Sequence, residues 1–134
     1  MLVTLVALAS ATVRLAYLEY RRAFLRFEVF HATWQTHDML VHYLNNNDGA
    51  WPTGWDDLRE SFEFTNQGYG APNLDWLKQR VAINFSFDPA RLVSATTTRD
   101  KPLRVFALPD GSSNTDLDRA NERILDHIRS CHVE

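Results

Sequence analysis

From Leu2 to about Asn45 the chain contains neither proline nor glycine, so nothing in its backbone chemistry breaks a helix over that stretch. A helix of this extent reaches about 65 Å at 1.5 Å per residue. That is long for a chain of 134 residues, which has room for one domain. Such a helix crosses a membrane, packs against copies of itself, or divides into two. Its stop is legible in Asn45-Asn46-Asn47-Asp48-Gly49. Asparagine and glycine accept a left-handed backbone, and asparagine and aspartate side chains compete for the helix's own hydrogen bonds.

The first part of the helix is apolar. Residues 2–13 read LVTLVALASATV, Arg14 interrupts, and residues 15–18 read LAYL. These 17 residues fall short of the roughly 20 that a transmembrane helix needs. An arginine near the end of a span can snorkel to water, and Tyr17 and Tyr20 stand where interface aromatics are favoured. Residues 1–18 are therefore expected to be a membrane anchor, single-pass or peripheral. The alternatives are the buried or oligomer-forming start of the helix, and a processed signal. No positive segment precedes Leu2, as a signal peptide would require. Charge is uneven: residues 1–30 sum to +2 and residues 31–134 to −5. Arg14, Arg21, Arg22 and Arg26 follow the apolar run, which suits an anionic membrane surface and, for a spanning helix, a body facing the cytoplasm. The acidic remainder argues against nucleic acid as the main partner.

Residues 19–134 read as a single α+β domain: a long N-terminal helix packed on a small antiparallel sheet, with short helices and a C-terminal helix. Large residues at Tyr20, Phe24, Phe27, Phe30, Trp34, Val41 and Leu44 recur mostly three or four apart and form a stripe that the body or another copy must cover. Arg22, Arg26, Glu28, Thr36 and His37 fall on other faces. Thr53, with Asp56 as its reciprocal partner, caps a short helix expected to finish near Ser61. Residues 62–72 read as a loop, and Asn73 caps another short helix. Alternation over 81–87 predicts a strand with Val81, Ile83, Phe85 and Phe87 on one face, pairing with 103–108. A weaker strand is expected at 91–97, with a turn at 98–102. The last helix opens at Thr115 with Asp118 completing its capping box, and Leu117, Asn121, Ile124, Leu125 and Ile128 mark its apolar side.

No motif dictates a reaction. The five histidines make no ligand spacing. Asp56, Asp57, Glu60 and Glu63 cluster, and helix-start electrostatics explain the first two. Cys131 has no cysteine to pair with in the chain. Asp110, Ser112, Asn114, Asp116 and Asp118 place oxygens at alternate positions, as a calcium loop does, but Thr115 stands where such a loop has glycine. A turn followed by a helix cap explains the same residues, so the expectation is no cofactor, with calcium as the one possibility. Phe24, Phe27, Trp34, Trp51 and Trp55 are the candidate interaction residues, and Trp51 and Trp55 also suit the core under the first helix.

The layout resembles a type IV pilin or type II secretion pseudopilin. The likeness rests on the long helix, on His42-Tyr43-Leu44-Asn45-Asn46-Asn47-Asp48-Gly49-Ala50-Trp51-Pro52, and on Trp55-Asp56-Asp57-Leu58. The resemblance implies an apolar helix continuing amphipathically into a sheet-bearing head, with a late calcium loop roughly where 110–118 stands. The family's basic leader, its Gly/Ala–Phe cleavage point and the glutamate five residues into the mature helix do not stand before residues 2–13. The function expected is a non-enzymatic, membrane-anchored assembly or accessory module, pilin-like, with membrane lipid and either a second copy or a protein partner meeting the first helix. The alternatives are a soluble self-associating α+β domain and an enzyme using the carboxylates near Asp56 to Glu63.

Overall fold

The computed structural model describes residues 2–94 and 103–131, without the side chains of residues 2–9, 93 and 94. The fold is α+β. Helix α1 runs Leu2–Asn46, a 3-10 turn Trp55–Leu58 leads into α2 at Arg59–Tyr69, and α3 spans Leu74–Lys78. Strand β1 is Ala82–Ile83, α4 is Pro89–Ser94, β2 is Phe106–Ala107 and α5 is Thr115–Cys131. The two strands pair antiparallel, Ala82 opposite Ala107 and Ile83 opposite Phe106.

Helix α1 is unbroken over 45 residues, about 67 Å at 1.5 Å per residue. It stops at the expected place. Asp48 and Gly49 take positive φ, and the Gly49 N–H turns back to the Leu44 carbonyl at 2.9 Å. The core lies against its C-terminal part only. Met39, Leu40 and Leu44 are buried with Leu58, Leu77, Val81, Val105 and Phe106, and Leu117, Ile124 and Ile128 close the core from α5. Each fully buried Leu or Ile contributes roughly 1.5–3 kcal/mol. Helices α5 and α2 are the main partners of α1.

The sequence stripe on α1 needs correction. Of its members only Leu44 is fully buried, and Thr36, expected on a polar face, is buried beside Ala32, Thr33 and Gln35. Small side chains let α2 and α5 approach closely, so close packing selects Ala32, Thr33 and Thr36 over the aromatic positions.

Helix α2 does not end at Ser61; it continues through Gly68 to Tyr69, and Gly70 at φ 70° closes it with a left-handed cap. A lone glycine inside a helix costs about 1 kcal/mol, which α2 offsets by packing on α1. Thr53 is not the cap: Gly54 holds that position without a side-chain bond, and the Thr53 N–H and hydroxyl both donate to Asp57, not to Asp56. Asn73 caps α3 by accepting from the Trp76 N–H. At α5 the cap is Asn114, which accepts from Leu117, while Asp118 accepts from the Ser113 hydroxyl.

The strands are shorter than their alternation suggests. Burial alternates along 81–87 as expected, but pairing stops where Asn84 forms a turn, accepting the Ser86 N–H on its side chain and the Phe87 N–H on its carbonyl. On the other strand the Val105 and Phe106 N–H groups donate to Asn121 on α5 and are withdrawn from any ladder. Residues 91–94 are helical, not a strand. Asp88 accepts the Ala90 N–H ahead of Pro89, which is a helix start. The remainder of that expected strand and the turn at 98–102 lie outside the described residues.

Candidate functional site: the exposed length of the first helix

The body's hold on α1 begins at Glu28. Its carboxylate pairs with Arg80 at 2.9 Å, both side chains largely shielded from water. The Arg80 guanidinium stacks 4.1 Å above the Trp76 ring and donates to the Trp76 carbonyl. Further along, α2 grips α1 through polar pairs. The Tyr69 hydroxyl donates to Asp38 at 2.6 Å, Gln35 donates to Asn66 at 3.1 Å, and His42 meets the Ser61 hydroxyl at 3.0 Å. Burial, and next the adjoining Asp38 carboxylate, push the Tyr69 hydroxyl well above its ordinary range, so it stays a protonated donor.

N-terminal to Phe24 the helix stands clear of the body, while Phe24 and Phe27 border it across a groove with Pro72 and Trp76. Val13, Leu15, Tyr17, Leu18, Tyr20, Phe24, Leu25 and Phe27 are all exposed, and so is Phe30 just beyond. Exposed large apolar side chains gathered on one element in this way mark contacts with partners or membranes. Arg14, Arg21, Arg22 and Arg26 are exposed along the same stretch, with Arg22 paired to Glu19 at 2.8 Å. Where α1 meets the body, Phe24, Phe27, His31, Pro72 and Trp76 line a shallow groove of about 220 Å³. Ligand pockets are usually about 300–1,000 Å³.

The candidate interaction residues separate into two sets. Phe24 and Phe27 lie in the exposed stretch. Trp34 is half-buried beneath the Arg123 guanidinium. Trp51 and Trp55 pack on the core edge-to-face with Phe87 and Phe85, and the Trp51 indole N–H donates to the Asn84 carbonyl. The Glu28–Arg80 clamp, 52 residues apart, has no local sequence signal; only the isolation of Glu28 in an arginine-rich stretch hints at a distant partner.

Asp110, Ser112, Asn114 and Asp118 of the 110–118 loop have partners within the chain. Asp110 accepts from the Ser112 N–H and hydroxyl, which hold its carboxyl below the usual range; Asn114 caps α5; Asp118 pairs with Arg104 at 3.2 Å. Among the described residues no group of three or more His, Cys, Asp or Glu side chains is placed to hold a metal ion. In the acidic cluster Asp57 is tied to Thr53 and Asp56 to Arg59, while Glu60 and Glu63 are exposed. Cys131 lies 3.7 Å from the His127 Nε2, the same nitrogen that meets the Asn45 side-chain oxygen at 2.9 Å. With Nε2–H donating to Asn45, that nitrogen has no lone pair to take the thiol proton.

Among the described residues no helix is long and apolar enough to cross a membrane. No protein-family model, no curated protein and no solved structure matches this chain.

Proposed function

We propose that this protein is a non-enzymatic accessory module of a membrane-bound assembly, pilin-like in plan, whose first helix is its attachment element. The observation that carries the reading is the exposed stretch of α1 ahead of Glu28, apolar and arginine-bearing, on a helix firmly clamped to its body. The apolar run at residues 2–13 supplies the lipid contact, and the arginines after it sit at headgroup depth, where each basic side chain adds about 1 kcal/mol on an anionic surface. The body is then held beyond the surface at the end of a rigid stem.

Flotation of the full chain with vesicles of mixed anionic and zwitterionic lipid tests this. The chain is expected to float, and Arg22→Glu with Arg26→Glu to weaken binding to anionic vesicles at least tenfold. A chain left wholly at the bottom of the gradient with both vesicle types would overturn the reading.

A further inference from the structure

Three consecutive asparagines close α1, and their side chains do not act alike. Asn46 and Asn47 donate to the His42 and Tyr43 carbonyls, which satisfies the last turn of their own helix. Asn45 turns across to α5 instead, where its side-chain oxygen meets the His127 Nε2 at 2.9 Å. Cys131 stands one turn further along α5, and its Sγ lies 3.7 Å from the same nitrogen. A thiol, an imidazole and an amide oxygen therefore gather at one spot, from the last turn of α1 and the last turns of α5. His127 and Cys131 are half-buried and Asn45 is exposed, so the spot is open to ions from solvent. Among the described residues no third His, Cys, Asp or Glu side chain joins the pair.

We infer that Cys131 and His127 form a two-point chelate for a zinc-class ion, with Asn45 as a third, weaker ligand and water completing the shell. The spacing is that of two ligands on one ion. With metal–sulfur near 2.3 Å and metal–nitrogen near 2.0–2.1 Å, tetrahedral zinc holds a sulfur and a nitrogen ligand about 3.6 Å apart. Ligands four positions apart on one helix face the same side, as paired zinc-binding histidines do. Thiolate with imidazole favours zinc and its transition-metal neighbours over calcium and magnesium, which take oxygen. On binding, the thiol gives its proton to water and the ring proton moves from Nε2 to Nδ1, which leaves the Nε2 lone pair for the metal. The set is smaller than the closed four-ligand shell of structural zinc, so the ion binds reversibly. Because the ligands come from both helices, a bound ion fastens the end of α5 to the end of α1. The inference does not depend on how α1 is attached to a membrane.

The test uses the full chain in reducing, chelator-free buffer, with Co²⁺ and Zn²⁺ as probes. Co²⁺ is expected to give a near-ultraviolet thiolate band with the visible absorption of a four-coordinate ion, and Zn²⁺ to displace it. Zn²⁺ is expected to slow alkylation of Cys131 by iodoacetamide at least tenfold, and EDTA to restore the rate. Cys131→Ser should abolish the band, His127→Gln should bring the protection below twofold, and Asn45→Ala should weaken binding several-fold, each with unchanged helical signal. Protection that survives His127→Gln overturns the chelate. So does a cobalt spectrum of the unaltered chain that lacks the thiolate band, a result that needs no variant to fold. A mass of two chains on adding Zn²⁺ overturns a site within one chain.

Discussion

Asn121 concentrates more of the fold's specificity than any apolar neighbour. Its side-chain oxygen accepts from Val105 at 2.8 Å and Phe106 at 3.1 Å, and its amide donates to the Phe106 and Leu117 carbonyls. A buried amide with every hydrogen bond made is inexpensive, but its removal strands backbone donors. Asn121→Ala is expected to destabilise the fold by about 2–4 kcal/mol in denaturant unfolding. A loss near zero would mean β2 is held otherwise. Thr36 is the converse case: its hydroxyl is buried without a hydrogen-bond partner among the described residues. Thr36→Val keeps the shape and removes the stranded group, so a gain of about 1 kcal/mol is expected, and a loss would show that the hydroxyl is in use. Burial, and next the charge of nearby His37, lower the His127 pKa. The unfolded chain therefore binds the proton more readily. The stability this group contributes is present above its ordinary pKa of about 6.5 and lost as pH falls through the lower folded value. The unfolding midpoint should drop between pH 7 and 5, and His127→Gln should shrink that drop. An unchanged profile would remove His127 as the cause.

Among the elements, those with strong local signals were legible and those decided by distant partners were not. The stop of α1, the Asn73 cap and the apolar side of α5 follow from residues a few positions apart. The length of α2 did not, because Gly68 and Gly70 look alike in sequence while only Gly70 has the positive φ that ends a helix. The strands misled for a different reason. Alternation reports which side chains are buried, and that was right for 81–87; hydrogen-bond pairing also depends on Asn84 and Asn121. The 110–118 loop shows the same ambiguity, since a turn and cap use the oxygens that calcium would. With Asp110, Asn114 and Asp118 already bonded within the chain, millimolar calcium is expected to leave the melting temperature within about 1 °C. A clear rise would show that the loop reorganises around the ion.

At the scale of the molecule, a compact body built on the last third of α1 carries a stem whose apolar surface it does not cover. The sequence made the stem visible through its missing prolines and glycines, and the apolar start through composition. It did not show which face the body would take, because Ala32, Thr33 and Thr36 look unremarkable beside Phe24, Phe27 and Phe30. In the proposed reading residues 2–13 meet lipid, while the part of α1 after Glu28 belongs to the body. The Glu28–Arg80 clamp keeps stem and body in line, so what the stem binds fixes where the body stands. Fractionation of cells producing the native full-length chain is the most direct test of attachment. Recovery in the membrane fraction, with release by detergent and not by high salt, is the predicted result. Recovery entirely in the soluble fraction would contradict it.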